Sequence, residues 1–240
     1  MALVRRGLAE TRERAHALIL AGSVRVDGLA ATRPAQSVSE EASLDVASRG
    51  LEYVSRGALK LARALAAWGI DPAGKVALDV GASTGGFTQL LLEHGAKRVY
   101  AVDVGYGQLH YKLRGDPRVV VMERTNVRYL TQLPEAPDLA TVDVSFIGLK
   151  LALPPVFRLA KQEIVALIKP QFEAGRGQVG KGGVVRDPAV REQIIGELQQ
   201  WSETQPWRMV EVIQSPIKGP AGNVEFLSHW IPAGIISPEC

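Results

Sequence analysis

Cysteine is nearly absent from the 240-residue chain: its one copy is Cys240. An intrachain disulfide and a cysteine-held metal cluster are thereby excluded, no metal is expected, and a reducing, cytoplasmic setting fits best. Long apolar runs are missing too. Although 46% of the residues are hydrophobic, none of the runs nears the ~18 apolar residues that a membrane span needs. The first residues, with Arg5, Arg6, Arg12 and Arg14, lack the apolar stretch of a secretory signal. There is no internal repeat, no low-complexity tract and no long basic amphipathic helix, so a membrane-active protein is not indicated.

Charge is scarce only in the net. The formal value is +3, and residues 1–35 hold six arginines (5, 6, 12, 14, 25 and 33) against Glu10, Glu13 and Asp27. Of 28 basic and 25 acidic residues this leaves 22 of each elsewhere, so the excess sits in one short segment. Clustered arginine suits a phosphate backbone, whose neutralisation releases counterions. A solvated basic helix is the plainer alternative.

That segment reads as a small module. Thr11 can cap a helix with Ala15, Leu18 and Ile19 on one face, ending at Gly22. Ser23–Val26 alternates like a strand and meets Asp27-Gly28, a tight-turn pair. Residues 48–56 read as a linker, and an amphipathic helix is expected over Gly57–Ile70. Beyond it, Lys75–Val80, Arg98–Val104, Arg118–Glu123, Asp138–Val144 and Glu163–Lys169 are short apolar strands, with helical patterns at Phe87–Glu93 and Leu149–Ala160. This alternation predicts an α/β fold, a doubly wound, mostly parallel Rossmann-like sheet. Two last strands, near Trp207–Gln214 and Asn223–Trp230, are too close for a helical crossover and should pair antiparallel.

Leu78-Asp79-Val80-Gly81-Ala82-Ser83-Thr84-Gly85-Gly86-Phe87 is strand, glycine-rich turn and helix start. In a doubly wound sheet, ligands bind outside the carboxyl ends of the strands at such a turn. Asp103 ends the next strand, 22 residues after Gly81, where a carboxylate can accept from both hydroxyls of a ribose. A nicotinamide dinucleotide would want Gly-x-Gly-x-x-Gly, but Ser83 replaces the second glycine. Asp79, two residues before the first, suits an ammonium-bearing ligand. S-adenosylmethionine has such an ammonium and is preferred to a dinucleotide.

Lys60, Asp143, Lys169 and Glu225 fall at the edges of expected strands or helices, with Asp143 and Lys169 on the same rim as the glycine turn. Each alone is an ordinary surface charge. Together they suit methyl transfer to an alcohol, because a lysine can ease formation of the alkoxide as a neutral base or as a nearby cation.

The motifs Ser55-Arg-Gly-Ala-Leu-Lys60, Asp79–Phe87, Asp103-Val-Gly-Tyr-Gly-Gln-Leu109, Glu123-Arg-Thr-Asn126, Asp143-Val-Ser-Phe146, Lys169-Pro-Gln-Phe-Glu173 and Gly222-Asn-Val-Glu-Phe226 resemble the TlyA family of ribosomal RNA 2′-O-methyltransferases, some historically labelled hemolysins. The resemblance spans nearly the whole chain. It implies an S4-like RNA-binding domain at 1–47, the linker at 48–56 and an FtsJ-type methyltransferase domain at 57–240. It makes Lys60, Asp143, Lys169 and Glu225 a catalytic tetrad: Lys169 handles the ribose hydroxyl, Asp143 and Glu225 orient it, and Lys60 supports. Asp79, Gly81, Ala82, Ser83, Thr84, Gly85, Gly86, Phe87, Asp103, Asn126 and Asp143 are expected around the donor, Asn126 near its adenine. Arg5, Arg6, Arg12, Arg14 and Arg25 are expected on the RNA. The implied substrate is a cytidine 2′-hydroxyl of ribosomal RNA within a ribosomal subunit. The opening differs from the family's usual Arg-Leu-Asp start, which fits either a misassigned start or a shortened first helix, and shorter members resemble a type that modifies large-subunit RNA alone. A ribosome-binding protein with an inactive methyltransferase fold is the alternative.

Overall fold

The computed structural model describes residues 2–9, 15, 19, 24–31, 36, 38–39, 42–46, 53–175 and 177–235. The chain divides into two compact units, Met1–Glu52 and Tyr53–Cys240.

In the first unit, α1 (Ala2–Arg5) precedes the strands β1 (Val24–Val26), β2 (Leu29–Ala30) and β3 (Leu44–Val46). Asp27 and Gly28 both have positive φ, 50° and 79°, as a two-residue type I′ hairpin turn requires. The pairing Val26↔Leu29 closes that hairpin. β3 joins the other edge of β1 antiparallel, and Asp27 Oδ1 accepts from Ser43 N at 2.7 Å, which ties the turn to it. Leu3, Ala9, Ala15, Val24 and Ala31 form a small core. Ala15 and Ile19 are helical, whereas Thr11 and Gly22, the expected helix ends, lie outside the described residues. β3 is only three residues long, too short to read as a strand from alternation.

The second unit is a seven-stranded sheet. Its strands are β4 (Val76–Val80), β5 (Arg98–Val102), β6 (Val119–Met122), β7 (Leu139–Val142), β8 (Glu163–Ile168), β9 (Trp207–Gln214) and β10 (Phe226–Pro232). Their order is β6-β5-β4-β7-β8-β10-β9. β4 to β8 run parallel, and β10 lies antiparallel between β8 and β9. The helices are α2 (Gly57–Trp68), α3 (Gly86–Glu93), α4 (Tyr111–Arg114), α5 (Leu149–Leu159), α6 (Pro170–Glu173) and α7 (Pro188–Ser202).

All five residues of β4 are buried, as befits a strand covered on both faces. Their side chains alternate between two cores. Ala77 joins Leu61, Leu65, Leu90 and Leu91 of α2 and α3, while Val76, Leu78 and Val80 join Leu149, Leu153, Ile194 and Leu198 of α5 and α7. Because β5 and β7 lie on opposite sides of β4, the crossovers diverge there and leave a crevice at its carboxyl end.

The expected strands and their antiparallel ending match this sheet to within a few residues. Helix α2 stops at Trp68 because Gly69 adopts φ 63° and closes the last turn onto Leu65. Helix α7 is an addition to the expected elements. It buries only Ile194, Leu198 and Ser202, a thin apolar stripe, although Asp187 caps it and Pro188 occupies its first position. Residues 53–56, the end of the expected linker, belong to the second unit: Val54 N donates to Gln89 Oε1 of α3 at 2.6 Å.

Candidate active site

After Val80 the chain turns through Gly81 (φ 84°), Ser83 (φ 49°) and Gly85 (φ 98°) into α3. Gly81 is needed for space as well as conformation, since a Cβ there would collide with the Asp143 backbone carbonyl. Ser83 holds a left-handed conformation without being glycine, a cost that its surroundings must offset. Asp103 does so in part: Oδ2 accepts from Ser83 N at 2.8 Å and Oδ1 from Gly105 N at 2.7 Å. The strand after next holds that loop from below. Glu123, just past β6, accepts from the amides of Gly107, Gln108 and Leu109 at 2.9, 3.0 and 3.3 Å and from Arg114 at 2.5 Å. The amide of Gly107 first, with Arg114 adding to it, lowers the Glu123 carboxyl to about 2.

A cavity of about 580 Å³ opens beside this turn, and Lys60, Asp143, Lys169 and Glu225 all stand in its wall. They form two ion pairs. Lys60 Nζ on α2 lies 2.6 Å from Glu225 Oε2 just before β10, with side chains only 9% and 1% exposed. Lys169 Nζ at the end of β8 lies 2.6 Å from Asp143 Oδ1 at the end of β7, 11% and 21% exposed. Lys169 also donates to Ser145 Oγ at 3.0 Å. The fit around Glu225 is close, because a Cβ on Gly219 would collide with its Oε1. One pair is sealed in the wall, and the other keeps a path to the cavity.

Of the residues expected around a donor, Gly81, Ala82, Ser83, Thr84, Gly86, Phe87 and Asp143 line the cavity. Four do not. Asp79 is wholly buried and points at α3 and β7, where Thr88 donates to Oδ2 at 2.7 Å and Thr141 to Oδ1 at 3.1 Å. Burial raises its carboxyl from 3.8 to about 6 despite these donors. The reading of Asp79 as a direct ammonium anchor is therefore corrected: it fixes the start of α3 from beneath. Gly85 packs under Leu109 and Leu113, Asp103 supports the turn, and Asn126 Oδ1 accepts from Arg128 N to cap the short 3₁₀ turn Val127–Tyr129. A second correction concerns Glu225, which pairs with Lys60, while Lys169 pairs with Asp143.

In the first unit, Arg5 is exposed. Arg6 braces backbone instead, donating to Ala42 O at 2.6 Å and Ser39 O at 3.3 Å. Arg25, also exposed, donates to Gly28 O across the hairpin. Arg12 and Arg14 lie outside the described residues.

The structure adds residues that composition and spacing did not single out. Phe146 is 90% exposed in the cavity wall with φ 65° and lies 5.2 Å from the ring of Phe172. A bulky residue rarely holds a left-handed backbone conformation, so the loop around Phe146 must offset that cost. Glu173 accepts from Leu149 N at 2.8 Å, so it caps α5 next to the Asp143–Phe146 loop, and burial raises its carboxyl. Asn223 Oδ1 accepts from Val185 N at 2.9 Å while its Nδ2 donates to Gly183 O at 2.8 Å, which pins one wall of the cavity. Ser145 and Glu173 sit inside recognisable motifs, but their partners depend on how β7 and β8 align.

Comparison with known proteins agrees with this geometry. A family model described as FtsJ-like methyltransferase matches residues 53–230, and an S4 domain model matches residues 1–44. The 16S/23S rRNA (cytidine-2′-O)-methyltransferase TlyA of Mycobacterium tuberculosis is 52% identical over 93% of this chain and 85% of its own. The 23S rRNA (cytidine-2′-O)-methyltransferase TlyA of Campylobacter jejuni is 40% identical over 75% of this chain and 71% of its own. A solved structure from Streptococcus thermophilus, described as a hemolysin, superposes with a TM-score of 0.77 at 40% identity, covering 96% of this chain and 86% of that one.

Proposed function

Because the chain belongs to the FtsJ-like methyltransferase family and to its TlyA branch, we propose that it methylates the 2′-oxygen of a cytidine in ribosomal RNA with S-adenosylmethionine as donor. The observation that carries this reading is the pair of lysine–carboxylate contacts, Lys60–Glu225 and Lys169–Asp143, in the wall of one cavity beside the glycine turn. The turn fits the donor. Gly81, Ala82, Ser83, Thr84 and Gly86 of the turn line the cavity, and Asp103 stands just past β5, where a ribose would lie. When bound there, the donor supplies a methyl group on a positively charged sulfur.

The protein's part is to place and activate the hydroxyl. Lys169 is held in position by Asp143 and Ser145, and as a cation it stabilises the negative charge that builds on the ribose oxygen while the O–H proton passes to solvent water. Lys60 and Glu225 keep the neighbouring wall rigid and balanced in charge. Phe146 and Phe172 offer a face for stacking the base of the target nucleotide, as exposed aromatic rings do in proteins that hold unpaired bases. We assign RNA recognition to residues 1–47, joined to a methyltransferase domain that begins at Tyr53, in a protein acting in the cytoplasm. Among the described residues, no helix is long and apolar enough to cross a membrane.

Both TlyA relatives carry 23S rRNA in their names, so large-subunit RNA is the proposed substrate. The test is to incubate the protein and S-adenosylmethionine with large and small subunits from cells lacking it, then digest the RNA and identify methylated nucleosides by mass. 2′-O-methylcytidine in 23S RNA is expected. Methylation on a base, or none at all, overturns the reading, and methylation of small subunits overturns the restriction to the large one.

A further inference from the structure

The cavity wall contains more positive charge than its two ion pairs use. Lys60 and Lys169 are each closed against a carboxylate at 2.6 Å. Two further cations line the same cavity, Arg56 and Lys218, and neither has a carboxylate partner among the described residues. Arg56 adjoins Ser55, whose Oγ fills the space beside Gly86, so it belongs to the donor end. Lys218 belongs to the opposite wall, on the turn that leads into Glu225.

That turn is rigid while its lysine is exposed. Ser215 Oγ donates to Ile217 O at 2.8 Å, and Gly219 N donates to Asn223 O at 2.9 Å. Asn223 in turn binds Gly183 and Val185, and Gly219 has no room for a side chain beside Glu225. The backbone of Lys218 is thereby fixed, and binding an anion orders only its side chain. The substrate of the proposed reaction supplies such an anion. In an RNA chain the 2′-oxygen is vicinal to the 3′-oxygen, which carries a phosphodiester. A ribose with its 2′-oxygen at Lys169 must bring that phosphate with it, and the internally paired lysines leave its charge unmatched.

We propose, resting on the function above, that Lys218 is a substrate-binding residue that holds a phosphodiester flanking the target ribose. The test compares the wild type with Lys218→Ala, Lys218→Glu and Lys218→Arg on large subunits from cells lacking the protein. Methylation rate and filter-binding affinity are measured across a potassium chloride series, and donor affinity is measured separately. Lys218→Ala is expected to weaken RNA binding about fivefold and to make the salt dependence shallower by about 0.7–0.9 in log–log slope, the share of one phosphate. kcat at saturating RNA and donor affinity stay unchanged. Lys218→Arg restores the slope, and Lys218→Glu weakens binding further. An unchanged slope and affinity in Lys218→Ala overturns the proposal, as does a loss of donor affinity without a change in slope, which would assign the cation to the donor's carboxylate. The binding arm reads out even if no methyl transfer occurs, so failure of the proposed function and failure of this assignment are separable.

Discussion

The two halves of the sheet's carboxyl rim answer their acidic residues in different ways. On the β5–β6 side, Asp103 and Glu123 are met by backbone amides, with Arg114 as an added partner of Glu123. On the β7–β8–β10 side, Asp143 and Glu225 are met by lysine ammonium groups at 2.6 Å. An amide-bound carboxylate shapes a loop. A lysine-bound carboxylate fixes a cation in the cavity wall. On the function proposed above, one half holds the donor and the other acts on the substrate.

The sharpest way to break this comparison is at Lys169. Lys169→Ala should lower kcat by about 10²–10⁴ while leaving donor affinity near that of the wild type. Single-turnover methylation and equilibrium dialysis read the two quantities, and equal losses in both would erase the distinction between the halves. Next comes Glu225→Gln, which strands the buried Lys60 charge. A stability loss of about 3–5 kcal/mol is expected by urea unfolding. A loss below about 1 kcal/mol would mean that water reaches the pair as it reaches a surface one.

Asp79 tests the floor between the halves. Its folded carboxyl titrates at about 6 against 3.8 unfolded, so the folded state binds the proton more tightly. The associated stability is full below pH 3.8 and is lost as pH rises through 6. Relative to Asp79→Asn, the wild type should lose up to about 3 kcal/mol between roughly pH 4 and pH 7. Parallel stability curves for the two proteins would refute this. The smallest effect is expected at Asp103. Asp103→Asn should raise the donor Kd about tenfold, the worth of one charged hydrogen bond, without changing kcat at saturating donor. A matching fall in kcat would place this carboxylate with the reacting half.

Much of this arrangement is legible in the chain itself. The alternation of apolar strands predicts the parallel sheet, and the closeness of the last two strands predicts their antiparallel pairing, because both follow from local pattern and loop length. Gly81 and Asp103 are readable for the same reason: a turn and a strand end are local events. Asp79 is not, since alternation says that it faces one side of β4 but not that Thr88 and Thr141 enclose it there. Helix α7 hides because its buried stripe is thin, even though Asp187-Pro188 marks its start.

Residue types and spacing thus determined the doubly wound class, the position of the glycine turn and the four charges of the site. Only the tertiary structure decided how those charges pair. Lys60 and Glu225 are 165 residues apart, and they meet because β10 inserts antiparallel beside β8 and brings the chain before it back to α2. Spacing along a chain carries no record of such a meeting. It arises from the order in which strands join the sheet, and that order follows from burying two apolar faces at once.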